Sequence, residues 1–156
     1  MIGALAAGGS AQTPPLPTLL SAGTALERAV TAGDIQLFAA ELAAGGSYLL
    51  AVEQRGIHLV VDVRGPDGES FAAVDSPLDR WGIENVLLQP AVPGTYRVEV
   101  RAEKKGVGSG RCAIRLDEIP ESVATSAAGR ERISALAAMM EAGTILRREP
   151  TGSLDK

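Results

Sequence analysis

Length and composition describe a chain with one hydrophobic core and a mixed surface. The sequence has 156 residues, of which 46% are hydrophobic and 22% charged, and its formal net charge is −4. A chain of this length buries roughly 70% of its unfolded surface, so one domain is expected and wholesale disorder is excluded. Aromatic residues make up only 3%, and the basic residues are interleaved with acids, so nucleic acid is not an expected partner.

Residues 1–18 are predicted to form a leader. Residues 2–11 are apolar or small, and a proline-rich stretch follows them. The small residues near the end of this run are typical of a signal-peptide cleavage region, but no basic residue precedes it. Two interpretations stay open: a truncated secretory signal of a secreted or periplasmic protein, or a flexible leader of a cytoplasmic one. No segment has the roughly 20 apolar residues that cross a bilayer, so no transmembrane segment is predicted.

Residues 19–119 are predicted to form an all-β domain, an antiparallel β-sandwich. Short apolar runs alternate with turns rich in Gly, Pro and Asp, for example at residues 65–68 and 92–94. Within the runs, apolar and polar side chains alternate, as a half-buried strand requires. About eight strands in two packed sheets are expected, at residues 26–31, 35–42, 47–55, 57–64, 69–75, 83–89, 95–102 and 111–118.

The same alternation assigns sides to the single histidine and the single cysteine. Cys112 shares a face with Ile114 and Leu116 and is expected to be buried. His58 lies opposite the inward face that Ile57 defines. Because a hydrolase needs its nucleophile and base within reach of each other, these two residues do not predict a catalytic pair, and no enzymatic activity is expected.

Aspartates near predicted turns are the candidates for a calcium site, since Ca²⁺ takes several oxygen ligands. They are scattered along the chain and lack EF-hand spacing, and Asp67 is accounted for by its Pro-Asp-Gly turn. Turn and surface roles are therefore predicted for all of them, with no metal site and no cofactor. The candidates are Asp62, Asp67, Asp75 and Asp79.

Trp81 stands beside Gly82 in a stretch that is predicted to be a loop. It is either an exposed contact residue for a sugar or a peptide, or a lid over the core. Large aromatic side chains are mostly buried in folded proteins, which favours the lid.

Beyond residue 119 the pattern becomes helical. Residues 125–149 are rich in Ala, Met and Arg, and Thr125 or Ser126 can cap the helix. Ile133, Leu136 and Met140 recur at helical spacing and form an apolar stripe that one helix cannot bury on itself. Residues 153–156 resemble the start of another helix, so residues 120–156 are predicted to begin a helical-repeat region and the chain to be a fragment.

Three stretches of the sequence carry a family resemblance: residues 46–57, 65–68 and 94–100, with Val52-Glu53-Gln54-Arg55-Gly56-Ile57 as the most specific part. Together they resemble the bacterial pre-peptidase C-terminal (PPC)-like domain, in the version found N-terminal to tetratricopeptide (TPR) repeats and a caspase-like CHAT peptidase domain. The resemblance implies a jelly-roll-like sandwich that serves targeting, interaction or regulation, with catalysis in the distal domain. The family's catalytic His and Cys match nothing in this chain.

Two functions remain open at this point. The first is a non-catalytic interaction, targeting or regulatory module of a CHAT/TPR-type bacterial protein, whose partner is the downstream helical repeats or another protein. The second is a carbohydrate- or matrix-binding module of a secreted protein. An exposed aromatic groove with a calcium site would favour the second function, and an apolar patch continuous with the helix the first. The candidate contact residues are Trp81, Ile133, Leu136 and Met140.

Overall fold

The computed structural model describes residues 15–75, 80–103 and 108–147, and in the last helix it describes side chains as far as Met139. These residues form nine strands and two helices. The strands are β1 (Thr18–Leu19), β2 (Ala25–Thr31), β3 (Ile35–Leu42), β4 (Ser47–Arg55), β5 (Leu59–Arg64), β6 (Ser70–Val74), β7 (Trp81–Leu88), β8 (Gly94–Ala102) and β9 (Ser109–Ile119). The helices are α1 (Glu121–Ala124) and α2 (Ala127–Arg147).

The strands form two sheets that pack face to face as a β-sandwich, which confirms the predicted fold class. The larger sheet has the strand order β1-β3-β8-β5-β6, and the smaller sheet has the order β2-β9-β4-β7. Neighbouring strands are antiparallel, apart from the parallel pair of β1 and β3. Strands β6 and β7 are therefore edge strands, one in each sheet.

One aliphatic core lies between the two sheets, because alternate residues of each strand point inward. Tyr96, Val98 and Val100 of β8 are buried from the larger sheet, and Cys112 and Ile114 of β9 are buried from the smaller one. Both sets follow the predicted period of two. The inward assignment of Cys112 is therefore confirmed.

The predicted strand positions agree with the structure where alternation runs over several residues. Strands β3 and β4 have the predicted bounds, and each of the other predicted strands begins and ends within two residues of its prediction. Strand β1 was not predicted, since a strand of two residues has no alternation to detect. It joins the larger sheet through Thr18 opposite Phe38 and Leu19 opposite Ala39.

A C-terminal helix is confirmed, and Ser126, one of the two predicted caps, begins it. The hydroxyl of Ser126 accepts a hydrogen bond from the Gly129 amide at 3.0 Å and so caps α2. Thr125 instead ends the separate short helix α1, where its hydroxyl donates to the Glu121 carbonyl at 2.8 Å. Gly129 lies close to the end of α1, since a Cβ atom on this residue would be 1.6 Å from the Val123 carbonyl oxygen.

Helix α2 lies against β7 and β6, which are one edge strand of each sheet. Ile133 and Leu136 are half-buried, and Met139 is exposed. Of the predicted leader at residues 1–18, residues 1–14 lie outside the described residues, and Thr18 belongs to strand β1. The side chain of Met140 and the predicted second helix at residues 153–156 also lie outside the described residues. Neither described helix combines the length and the apolar character that a membrane span requires.

Candidate functional site

Trp81 is exposed, so the predicted lid over the core is wrong. Its exposed fraction is 69%, and it is the first residue of β7, not part of a loop. Glu84 and Val86 of the same strand are buried, so alternation directs Trp81 outward. The strand starts this early because the Gly56 amide donates a hydrogen bond to the Arg80 carbonyl at 3.0 Å.

Ile83 lies on the same outer face as Trp81 and is 50% exposed. Across the sheet, Arg55 of β4 is opposite Trp81, and Glu53 is opposite Ile83. These four residues form a mixed patch, with an aromatic and an aliphatic side chain on the edge strand and two charged side chains beside them. We call Trp81, Ile83, Arg55 and Glu53 the Trp81 surface.

Arg55 is held in place by two carboxylates on the outer face of the smaller sheet. Its guanidinium lies 2.6 Å from a Glu27 oxygen and 3.0 Å from a Glu53 oxygen. The hydrogen bond from Arg55 lowers the pKa of Glu53, and the bonds to Glu53 and Glu27 raise the pKa of Arg55. Arg111 contacts Glu27 at 3.3 Å from the other side. Because these side chains are partly exposed, the network mainly orients Arg55 and adds little to stability.

A buried polar pair supports the turn between β4 and β5. Gln54 donates from Nε2 to Glu84 at 3.1 Å, and its Oε1 accepts from the Leu59 amide at 2.7 Å. Gln54 thus connects the smaller sheet to the first residue of β5 in the larger sheet. Gly56 then takes a φ of 83°, in the left-handed region that favours glycine. This accounts for the Gln-Arg-Gly sequence within the most specific part of the family resemblance.

His58 follows that turn and faces two carboxylates. Its Nε2 lies 3.0 Å from Asp75 Oδ1 and 4.0 Å from Glu103 Oε1. Cys112 lies in the core between the sheets, where burial raises the pKa of its thiol. The two residues therefore occupy different environments: the imidazole meets acids at the end of the larger sheet, and the thiol meets aliphatic side chains.

The outer face of the larger sheet carries a cavity of about 360 Å³ next to His58. Asp75 and Glu103, which face the imidazole, are also part of its wall. Arg101 lines the same cavity and forms an ion pair with Asp62. The remaining lining residues are Gly33, Ile35, Val60 and Ala102.

The aspartates singled out in the sequence have different roles in the structure. Asp67 accepts a hydrogen bond from the Glu69 amide at 3.0 Å, which confirms its predicted turn role. Asp62 pairs with Arg101 on the sheet surface. Asp75 lies near His58 and Glu103, a grouping that the sequence does not reveal because these residues are far apart in the chain. Asp79 lies outside the described residues.

Comparisons with known proteins identify the fold. No family model and no curated protein matches the chain. The pre-peptidase C-terminal domain of collagenase from Bacillus anthracis is similar to it with a TM-score of 0.54 and 15% identity, over 67% of this chain and 98% of that domain. The fold is therefore PPC-like, as the sequence resemblance implied.

Two further solved structures are more distant. They are PliG, a periplasmic inhibitor of g-type lysozyme, from Aeromonas hydrophila and from Salmonella Typhimurium. Their TM-scores are 0.46 and 0.45 at 12% and 17% identity, over 65% and 66% of this chain and 100% and 98% of theirs. Likenesses of this order do not indicate a function.

Proposed function

We propose that this PPC-like sandwich is a non-catalytic interaction module and that it binds a protein partner through the Trp81 surface. The exposure of Trp81 carries the proposal, because a tryptophan that is 69% exposed beside a half-exposed Ile83 leaves a large apolar area in water. Tryptophan and arginine are the residue types that contribute most at protein interfaces. Arg55 and Glu53 supply the polar border that such interfaces have.

The position of the helix supports a partner made of helices. Helix α2 lies against β7, the strand that carries Trp81 and Ile83. Val123 of α1 and Met139 of α2 are exposed as well. The exposed apolar side chains therefore lie on three neighbouring elements, β7, α1 and α2. One further helix could cover these side chains together.

This arrangement leads us to propose a more specific context. In it, the chain is the N-terminal targeting or regulatory module of a CHAT/TPR-type bacterial protein. The helical repeats would pack on α2 and the Trp81 surface, with Ile133, Leu136 and Met140 as contacts of the next helix. Catalysis would reside in the distal caspase-like domain.

Carbohydrate binding is the second candidate, and the same exposed indole favours it, since a flat aromatic face can stack on a sugar ring. The other aromatic side chains of the described residues do not extend this platform. Phe38, Tyr48 and Tyr96 are buried, and Phe71 belongs to the larger sheet, where its ring contacts Tyr96 at 5.1 Å. One stacking residue with charged neighbours is a small platform for a sugar, so we place protein binding first.

The gene sequence beyond the codon for Lys156 is the first test of the proposed context. TPR-like repeats followed by a caspase-like domain are expected there. A different kind of downstream sequence, or a stop codon, would contradict the CHAT/TPR context and leave the binding surface to be tested by itself.

Titration calorimetry with the helical segment encoded downstream tests the surface. Trp81→Ala should weaken binding at least about 30-fold, since removing an interface hot spot costs about 2 kcal/mol or more. Leu19→Ala is the matched control, because Leu19 is an exposed aliphatic residue of the larger sheet. Equal affinity of the Trp81 variant and the unmodified protein would refute this surface as the partner site. Binding of oligosaccharides alone would support the second candidate.

A further inference from the structure

We propose that His58, Asp75 and Glu103 form a binding site for one divalent transition-metal ion, with Zn²⁺ as the expected occupant. The three residues come from different parts of the chain: the turn after β4, the end of β6 and the end of β8. One donor atom from each lies within 4.8 Å of the other two. An imidazole nitrogen and two carboxylate oxygens are donors that Zn²⁺ accepts.

The donor atoms are close enough to contact a single ion, since all three lie within 4.8 Å of one another. With bonds of about 2.1 Å, two ligands of a tetrahedral Zn²⁺ ion lie about 3.4 Å apart. The distance from His58 Nε2 is 3.0 Å to Asp75 Oδ1 and 4.0 Å to Glu103 Oε1, so the two observed separations lie on either side of that value. Small rotations of the side chains would bring both to it, and Glu103 has the freedom to move because half of its side chain is exposed.

The backbone already holds these residues in position. The Glu103 amide donates to the His58 carbonyl at 3.3 Å, which joins two of the three ligands directly. The Leu59 amide next to His58 is fixed by the buried Gln54 side chain. Strand β5 pairs with β6 on one side and β8 on the other, so the ends that bear Asp75 and Glu103 flank it.

The cavity gives an ion access and room for further ligands. Asp75 and Glu103 both line this space of about 360 Å³. Three protein ligands leave a fourth position of a tetrahedral ion for water or for a bound molecule, as at sites that are not purely structural. The site has two carboxylates and only one imidazole. A divalent cation would balance the negative charge of both carboxylates, which a single imidazole does not.

A simple ion pair between His58 and Asp75 is the competing explanation. It accounts for the 3.0 Å contact, but it gives no role to Glu103, which approaches the same nitrogen from the end of another strand. A metal site requires all three residues, whereas an ion pair requires two. Variants of Glu103 therefore separate the two explanations.

Cobalt and zinc titrations of the untagged protein test the proposal, because a histidine tag would itself bind both ions. One equivalent of Co²⁺ should bind and produce visible d–d absorption, and Zn²⁺ should displace it. Glu103→Gln, Asp75→Asn and His58→Gln should each weaken Zn²⁺ binding at least about 10-fold, since even the loss of an outer-sphere partner of a metal ligand costs 10- to 100-fold. Glu99→Gln should leave the affinity unchanged, because it removes a carboxylate from the same strand away from the cluster.

Several outcomes would overturn the proposal. These are no saturable binding of Co²⁺ or Zn²⁺, binding that survives Glu103→Gln, and preferential binding of Ca²⁺ that does not depend on His58. Circular dichroism shows whether each variant is folded. Glu103→Gln keeps the test decisive if a His58 variant unfolds, since it changes only one atom of a half-exposed side chain.

Discussion

Gln54 is the residue on which the local structure around both proposed sites depends. Its side chain is buried and binds Glu84 in the smaller sheet and the Leu59 amide in the larger one. The turn that follows it places Gly56 beside the Trp81 ring, where a Cβ atom would be 3.8 Å from Trp81 Cζ2. The same turn delivers His58 to Asp75.

Replacing Gln54 by leucine should therefore destabilise the fold. The change removes one hydrogen bond to the buried Glu84 carboxylate and one to the buried Leu59 amide, and the loss of each bond costs about 1–3 kcal/mol. Urea unfolding followed by circular dichroism should show a loss of about 2 kcal/mol or more. Gln36→Leu in β3 is the control for the change in side-chain type. If both variants lost the same small amount, the proposed cross-sheet role of Gln54 would fail.

Cys112 is expected to be chemically quiet in the folded protein. It lies in the core, and burial raises the pKa of its thiol, so the reactive thiolate is both scarce at neutral pH and shielded from reagents. A chromogenic disulfide should react with the native protein far more slowly than with protein unfolded in urea. Similar rates in the two states would contradict the buried position of this strand face.

Among the elements, α2 is incompletely packed over its described side chains. It lies against the edge strands β6 and β7, and its exposed Met139 is available to a further partner. The interior strand β8 is paired with β3 on one side and β5 on the other. Strand β8 should be locally more stable than α2, because the free energy of local opening increases with the number of buried contacts.

Hydrogen exchange measures that difference. Amides of α2 between Ile133 and Leu146 should exchange faster than those of Val98 and Val100 in β8. The α2 amides should become slower when the chain is extended by one or two downstream helices, since these would cover the exposed side of the helix. Strong protection of α2 in the monomeric chain, unchanged by the extension, would mean that the helix belongs to the sandwich and needs no neighbour.

The elements also show what a sequence pattern can and cannot predict. Alternation locates β4 to the residue, because one of its faces is buried and the other is not. In β3 the predicted bounds also agree, although Phe38, Ala39 and Ala40 are buried in succession. Alternation places Trp81 wrongly in a loop, since β7 begins with an exposed aromatic residue and a glycine that look like a turn. The break between α1 and α2 depends on a close approach of Gly129 to the Val123 carbonyl, which no periodicity reveals.

At the scale of the whole molecule, the candidate sites depend on strand register, which a single sequence does not contain. His58 and Asp75 are 17 positions apart in the chain, and they meet only because β6 pairs with β5. Glu103 reaches them because β8 pairs with β5 on the other side. The Trp81 surface likewise arises from the pairing of β7 with β4, which sets Arg55 opposite Trp81.

The whole molecule is also expected to lack hydrolytic activity. The thiol of Cys112 faces the core, while His58 faces two acids at the end of the larger sheet, so nucleophile and base are not brought together for the attack on a substrate. Panels of peptide, ester and glycoside substrates should show no turnover. Activity that His58→Ala abolishes would contradict a non-catalytic module, whereas trace activity that survives this substitution would indicate contamination.

Tryptophan fluorescence tests the central claim most directly, because Trp81 is the only tryptophan in the 156 residues. In the isolated module, acrylamide should quench its emission almost as efficiently as in unfolded protein. Adding the proposed downstream helical segment should shift the emission to shorter wavelengths and protect it from acrylamide. A Trp81→Phe variant is the control, because its module has no tryptophan and the segment should then produce no such shift. A partner that binds the module with measurable affinity, yet leaves the emission and quenching of Trp81 unchanged, would show that the interaction uses another surface.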